Sequence, residues 1–159
     1  ELSNDHATSM AVLAHALEWE RANRGLPGYA CMIYATAPFL RPAFLQKGAE
    51  QIEAQKADTA FSATTFPFPI FRGMRITPEG FAQMFWPEHR LTRSQDLPEA
   101  IHDAGQFYWV DAPRFLQSQQ VFTERAIPVI LPRWLVQDID TPEDWDRAEL
   151  AFKVLQAQR

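Results

Sequence analysis

Residues 135–144 restrict what this chain can fold into more than any other stretch. Leu135-Val136-Gln137-Asp138-Ile139 has the composition of a short strand, and it runs directly into Asp140-Thr141-Pro142-Glu143-Asp144, which has the composition of a helix start. Thr141 suits the N-cap, Pro142 the first helical position, and Asp144 can close a capping box. In extended chain, residues two apart point to the same side, so Asp138 and Asp140 are expected on one face. Two acids at a strand's carboxyl end suit a divalent cation that keeps some waters and takes its other ligands from substrate phosphates. A turn in which Asp140 merely caps the helix fits the same spacing.

The pattern upstream alternates strands and helices. Thr8 or Ser9 can cap a helix running to about Asn23, with Val12, Ala16 and Trp19 on one face and Leu13 and Leu17 beside them. Gly25 and Pro27 end it. Tyr29-Ala30-Cys31-Met32-Ile33-Tyr34 is nearly continuous in apolar character and predicts a strand buried on both faces, as in a parallel sheet. A loop through Thr36 follows, then a helix opened by Pro42. The loop at a strand's carboxyl end is where α/β folds place ligands, so Thr36 is a candidate phosphate or sugar contact as well as a candidate turn hydroxyl. Residues 58–65 predict another strand, and Phe66-Pro67-Phe68-Pro69 cannot lie inside a sheet because proline removes ladder donors.

From residue 72 to 104, glycines, prolines and charges interrupt every periodic pattern. Residues 81–86 predict a strand of a small excursion. The polar run after it holds His89, Arg90, Arg93 and Gln95. Long irregular loops in compact domains are usually functional or oligomeric, and Arg93 could grip a carboxylate or phosphate with both arms of its fork. Asp103 and Gly105 lead into an aromatic strand, Phe107-Tyr108-Trp109. A short helix, a strand at 128–132, the strand at 135–139 and a last helix from Pro142 complete the chain, the last with Trp145, Ala148, Phe152 and Leu155 as its expected buried stripe. The class is α/β with an irregular insert.

Bulk properties exclude several functions. The chain has 159 residues, 47% of them hydrophobic, which suits one globular domain. A formal net charge of -5 without a basic cluster argues against nucleic acid. No apolar run approaches the roughly 18 residues of a membrane span. The lone Cys31 rules out an internal disulfide and fits a reducing, cytoplasmic compartment. There is no Gly-x-Ser-x-Gly elbow to suggest a hydrolase.

Several segments together resemble a known family. Tyr34-Ala35-Thr36-Ala37-Pro38-Phe39-Leu40 resembles the T-S-P loop of the nonulosonate cytidylyltransferases, which make CMP-activated sialic acids. Glu1-Leu2-Ser3-Asn4-Asp5 resembles the segment that follows an Arg-Pro pair in that family. Asp103-Ala104-Gly105-Gln106-Phe107-Tyr108 resembles its Asn-Gly-aliphatic-Tyr strand, and Asp138-Ile139-Asp140-Thr141-Pro142-Glu143-Asp144 its D-I-D-T-x-E-D metal segment. The segments at 66–70, 84–89, 92–98 and 102–109 resemble the branch of the family whose sugar is pseudaminic acid. N-acetylneuraminate, legionaminate or another nonulosonate is the alternative substrate, and a catalytically incomplete binding or assembly module is the alternative role.

The resemblance implies a Rossmann-like nucleotidyltransferase sheet with helices on both faces, a single domain over 1–159, and residues 66–98 as a dimerisation and sugar-pocket insert of a homodimer. It implies attack of the sugar's anomeric hydroxyl on the α-phosphorus of CTP with loss of pyrophosphate, assisted by Mg²⁺ or Mn²⁺. Asp138 and Asp140 match the metal carboxylates and are the catalytic candidates. Tyr34, Thr36, Arg93, Gln95, Asp103 and either Phe107 or Tyr108 match sugar-facing positions. His89 and His102 are either structural or in contact with the sugar. The family's Gly-rich nucleotide loop, first strand and base-pocket arginine lie upstream of the position of Glu1. The chain starts without Met, so an upstream segment is expected. A protein truly beginning at Glu1 would lack most triphosphate contacts and should be inactive or badly impaired.

Overall fold

The computed structural model describes residues 7–157. The segment at 1–5 that resembles the family lies outside the described residues. The element order is α1 (Ser9–Asn23), β1 (Tyr29–Ile33), α2 (Pro42–Gln55), β2 (Thr59–Thr65), β3 (Met74–Ile76), β4 (Ala82–Met84), β5 (Ile101–Asp111), α3 (Ala112–Ser118), β6 (Ala126–Ile130) and α4 (Pro142–Ala157).

Four strands form the main sheet in the order β1-β5-β2-β6, with β2 parallel to β6 and β5 antiparallel to both of its neighbours. The class is α/β, as expected. β2 is the centre, and almost every residue of it is buried. Its buried polar side chains are satisfied: Thr59 Oγ1 donates to Val121 O at 2.6 Å, Thr64 Oγ1 to Leu131 O at 2.9 Å, and Ser62 Oγ accepts from β5. That satisfaction is what allows hydroxyls to occupy the sheet's middle.

Helices cover both faces. α2 packs Ile52 against Phe107, Ala60 and Val129. Gly48 permits the close approach, because a β carbon there would lie 2.7 Å from Trp109 Cδ1. On the opposite face α1 and α3 bring Leu13, Leu17 and Phe115 onto Phe61, Tyr108 and Val110. α4 closes a third cluster of Ala148, Leu135 and Phe39.

Four expectations are corrected. β1 is not buried on both faces: it ends the described sheet, pairs antiparallel with β5, and leaves Ile33 exposed. α1 is rotated, burying Leu13, Ala14 and Leu17 while Val12 and Trp19 are exposed. These three recur at helical spacing and carry the same apolar content, so composition alone could not pick the stripe. On α4, Ala148 is buried with Ala151 and Leu155 beside it, whereas Trp145 and Phe152 are exposed. The strand expected at 135–139 is a single helical turn, Arg133–Leu135, followed by extended backbone without a ladder partner among the described strands. Pro132 explains this: it has no N–H for a ladder, and its carbonyl accepts from Leu135 N at 2.9 Å to start the turn.

The insert holds the second sheet. β3 and β4 form a hairpin, tied at its tip by Thr77 N to Phe81 O at 2.8 Å. Phe71 packs edge-on against Trp86 and His89. Phe68, Ile76, Phe81 and Leu91 point out of it, exposed.

Candidate functional site

A glycine in β5 organises the site. Gly105 has φ +60°, a left-handed value that a side chain would strain. It marks an irregularity in which Phe61 pairs with Tyr108 but Ala63 pairs with Asp103. Two steps on β2 thus oppose five on β5. Residues five apart on a regular strand face opposite sides; the bulge resets the phase. The Tyr108 hydroxyl therefore reaches the Asp103 carboxylate and donates to it, while Gly105 N donates to the other Asp103 oxygen at 3.0 Å. Burial first, and the bond to Asp103 second, push the Tyr108 pKa well above its ordinary value, so the phenol keeps its proton.

Tyr34 lies against Tyr108, ring centres 5.4 Å apart. The two tyrosines and Asp103 line an open cleft of about 440 Å³ with Met10, Gln119, Gln120, Val121 and Phe122. Its walls are largely apolar, with few polar groups, which is how small-ligand sites are usually composed. Thr36 lies in an adjoining depression with Ser9, Met32 and Tyr34. Of the two aromatics left open by the sequence, Tyr108 lines the cleft. Phe107 is fully buried under α2, on the other face of the sheet.

The acidic segment comes close to β5 at the bulge itself. A β carbon on Gly105 would lie 3.6 Å from Asp138 Oδ2. Downstream, Asp144 Oδ2 accepts from Thr141 N at 3.0 Å and Thr141 Oγ1 at 2.8 Å, and Asp144 N donates to Thr141 Oγ1 at 3.3 Å. This is the reciprocal box anticipated from the sequence. The Thr141 bonds hold the Asp144 carboxyl below its usual range. Asp138 behaves oppositely. Partial burial and the neighbouring charge of Asp140, with smaller contributions from Asp144 and Asp103, raise its pKa. Among the described residues neither Asp138 nor Asp140 forms an ion pair.

That donor set fits a hydrated divalent cation: two carboxylates, mutually repelling and without a basic partner. No group of three or more His, Cys, Asp and Glu side chains is arranged to hold a metal among the described residues. A Mg²⁺-type site that leaves most positions to water and phosphate does not need one.

Other candidates lie elsewhere. Arg93 has its fork on Asp96, Nε to Oδ2 at 2.6 Å and Nη2 to Oδ1 at 3.0 Å, exposed on the insert. Gln95 follows it on the same turn, beside Phe66 and Phe68. His102 Nδ1 donates to Asp103 O at 2.7 Å and packs on Phe66. His89 contacts Thr92 and Phe71. Burial raises the Cys31 thiol to about 11, so it is a structural group. A larger groove of about 630 Å³, between residues 38–43 and α4, includes Arg41 over Trp134 but none of the acids.

Sequence reasoning missed Gln106, Val121 and Phe122. The last two stood out as an apolar pair in an otherwise polar run after α3. Gln106 gave no signal beyond a polar residue inside an apolar strand.

No family model matches the chain. Two curated relatives, both named pseudaminic acid cytidylyltransferase, come from Campylobacter jejuni subsp. jejuni. The serotype O:2 protein is 36% identical over 153 residues and the serotype O:23/36 protein 35% identical over 153. The match takes in 96% of this chain, and the chain spans 66% of the length of each relative. A Helicobacter pylori protein named pseudaminic acid cytidylyltransferase and UDP-2,4-diacetamido-2,4,6-trideoxy-beta-L-altropyranose hydrolase is 31% identical over 140 residues, 87% of this chain and 26% of its own length. Among solved structures, a CMP:2-keto-3-deoxy-manno-octonic acid synthetase complexed with CTP matches with a TM-score of 0.55 at 13% identity, over 94% of this chain and 70% of that one. This last likeness concerns the fold alone.

Proposed function

We propose that this chain, which belongs to the pseudaminic acid cytidylyltransferase family over the length it shares with those relatives, provides the sugar and metal portion of an enzyme that activates pseudaminic acid with CTP. The products are CMP-pseudaminic acid and pyrophosphate. One observation carries the proposal: Asp138 faces the Gly105 bulge that also aims Asp103 and Tyr108 into the cleft. An acidic pair and a sugar-sized cleft at one strand bulge are what transfer of a nucleotide to a sugar requires.

In the reaction the anomeric oxygen forms a bond to the α-phosphorus, the bond to the bridging oxygen of pyrophosphate breaks, and the hydroxyl proton leaves to solvent. Asp138 and Asp140 would hold a Mg²⁺ or Mn²⁺ ion, which when bound offsets charge on the phosphate oxygens. Tyr34 and Tyr108 form a wall for the sugar ring, and Asp103 keeps the Tyr108 hydroxyl aimed. Thr36 sits beside them for a sugar or phosphate contact. Arg93 and Gln95 stand on the insert, where Arg93 would exchange Asp96 for the sugar carboxylate. Residues 66–98, with their exposed aromatics, form the contact of a homodimer within a single domain. No helix among the described residues is long and apolar enough to cross a membrane, and we place the enzyme in the cytoplasm.

The test is turnover of pseudaminic acid, N-acetylneuraminate and legionaminate by the full-length protein with CTP and Mg²⁺. Pseudaminic acid should be used at least tenfold more efficiently than the others. Arg93→Ala should raise the KM for the sugar while leaving the KM for CTP near its original value. Preference for N-acetylneuraminate would overturn the substrate assignment.

A further inference from the structure

Gln106 is wholly buried, one residue past the Gly105 bulge. Its backbone N–H, with that of Phe107, donates to Ser62 Oγ at 3.0 and 3.1 Å. Its side-chain Nε2 donates to Leu135 O at 2.7 Å. Its Oε1 is buried and has no donor among the described residues.

Leu135 is where the acidic segment begins. Val136 after it is extended, and the chain then reaches a bend at Asp140 without a ladder partner among the described strands. The segment is fixed at one end by the buried Leu135 and the Gln106 bond, and at the other by the Thr141–Asp144 box. Consecutive residues of β5 therefore adjoin both parts of it: Gln106 bonds its start, and a β carbon on Gly105 would lie 3.6 Å from Asp138 Oδ2. As a packing device Gln106 is poor. Its Oε1 is a buried acceptor without a donor, which destabilises a fold; an apolar chain of the same length would remove that acceptor but take the side-chain donor from the buried Leu135 carbonyl.

We infer that Gln106 is a positioning residue for the cation site, holding the Leu135 carbonyl so that Asp138 and Asp140 stand together beside the bulge. The inference rests on the proposed metal role of those two acids. Groups that orient metal ligands typically change affinity by about 10–100-fold when removed.

The experiment is Mn²⁺ binding, read from the electron paramagnetic resonance signal of free Mn²⁺, on the full-length protein and on Gln106→Met and Gln106→Asn, with the thermal midpoint of each. Met keeps the length of the side chain without the amide; Asn keeps the amide but cannot reach Leu135 O. Both variants should bind Mn²⁺ about tenfold more weakly, and Gln106→Met should melt within about 4 °C of the parent, because it exchanges the unpaired Oε1 for an unpaired Leu135 carbonyl. In turnover, the Mg²⁺ concentration for half activity should rise while the KM for the sugar holds. Mn²⁺ affinity within twofold of the parent in both variants overturns the inference alone. So does a loss of binding that merely tracks a falling midpoint in both. A parent protein that takes up no Mn²⁺ overturns the metal role itself, and this inference with it.

Discussion

The hydroxyl of Tyr108 donates to the carboxylate of Asp103, five residues earlier on the same strand. On an unbroken strand these side chains would lie on opposite faces. The positive φ of Gly105 takes up the extra residues and brings them together at the mouth of the cleft. A β carbon on the same glycine would lie 3.6 Å from Asp138 Oδ2, so one residue adjoins both the aromatic cleft and the acidic segment.

Adjacent aromatics on β5 should then separate cleanly by experiment. Phe107 is fully buried between α2 and the sheet, and Phe107→Ala should cost about 3–5 kcal/mol of stability. Tyr108→Phe keeps the ring and removes only the bond to Asp103. It should leave the thermal midpoint nearly unchanged and lower kcat/KM for the sugar about tenfold, near 1.4 kcal/mol. Equal effects of the two on stability would contradict the assignment of their faces.

Asp140→Asn should reduce Mg²⁺-dependent turnover by about 10²–10³-fold, because it removes the charge of one of the two carboxylates proposed to hold the cation where phosphate charge must be offset. The thermal midpoint should not fall. Near-normal Mg²⁺ dependence in this variant would remove Asp140 from the metal site.

Asp138 gives a pH signature. Its folded pKa lies above its ordinary value. Its protonated form is therefore favoured by folding, and the associated stability is present below the ordinary carboxylate pKa and lost as pH rises through the folded one. At pH 7 without divalent cation the ionised group should be mildly destabilising. Asp138→Asn should raise the midpoint by about 1–2 °C there, exposure keeping the effect under about 0.5 kcal/mol. The gain should vanish at pH 3, in a calorimetric comparison of parent and variant.

Thr141→Ala removes half of the capping box at the start of α4 and should cost about 1 kcal/mol. That corresponds to a midpoint lower by about 2–4 °C for a chain of this size. Thr141→Ser should restore most of it. No change in Thr141→Ala would mean that Asp144 caps the helix unaided.

Local chemistry made much of this legible. Thr8 caps α1, Pro42 opens α2, and Thr141 with Asp144 opens α4, because caps depend on residues within one turn. The faces of α1 and α4 were not legible. Both carry apolar residues around most of their circumference, and only the neighbours decide which stripe is buried. The Asp138–Asp140 segment was recognised by its residues but misjudged as a strand, since Pro132 starts a turn where a ladder would begin. Gln106 escaped notice because its partner, the carbonyl of Leu135, is a backbone atom 29 residues away.

The central claim is tested most directly by pyrophosphate release from CTP by the full-length protein, with Mg²⁺ and pseudaminic acid. Release that requires both the sugar and Mg²⁺, accompanied by CMP-pseudaminic acid in equal amount, is the predicted result. A folded protein that releases no pyrophosphate above the sugar-free blank with pseudaminic acid or any other nonulosonate would contradict it.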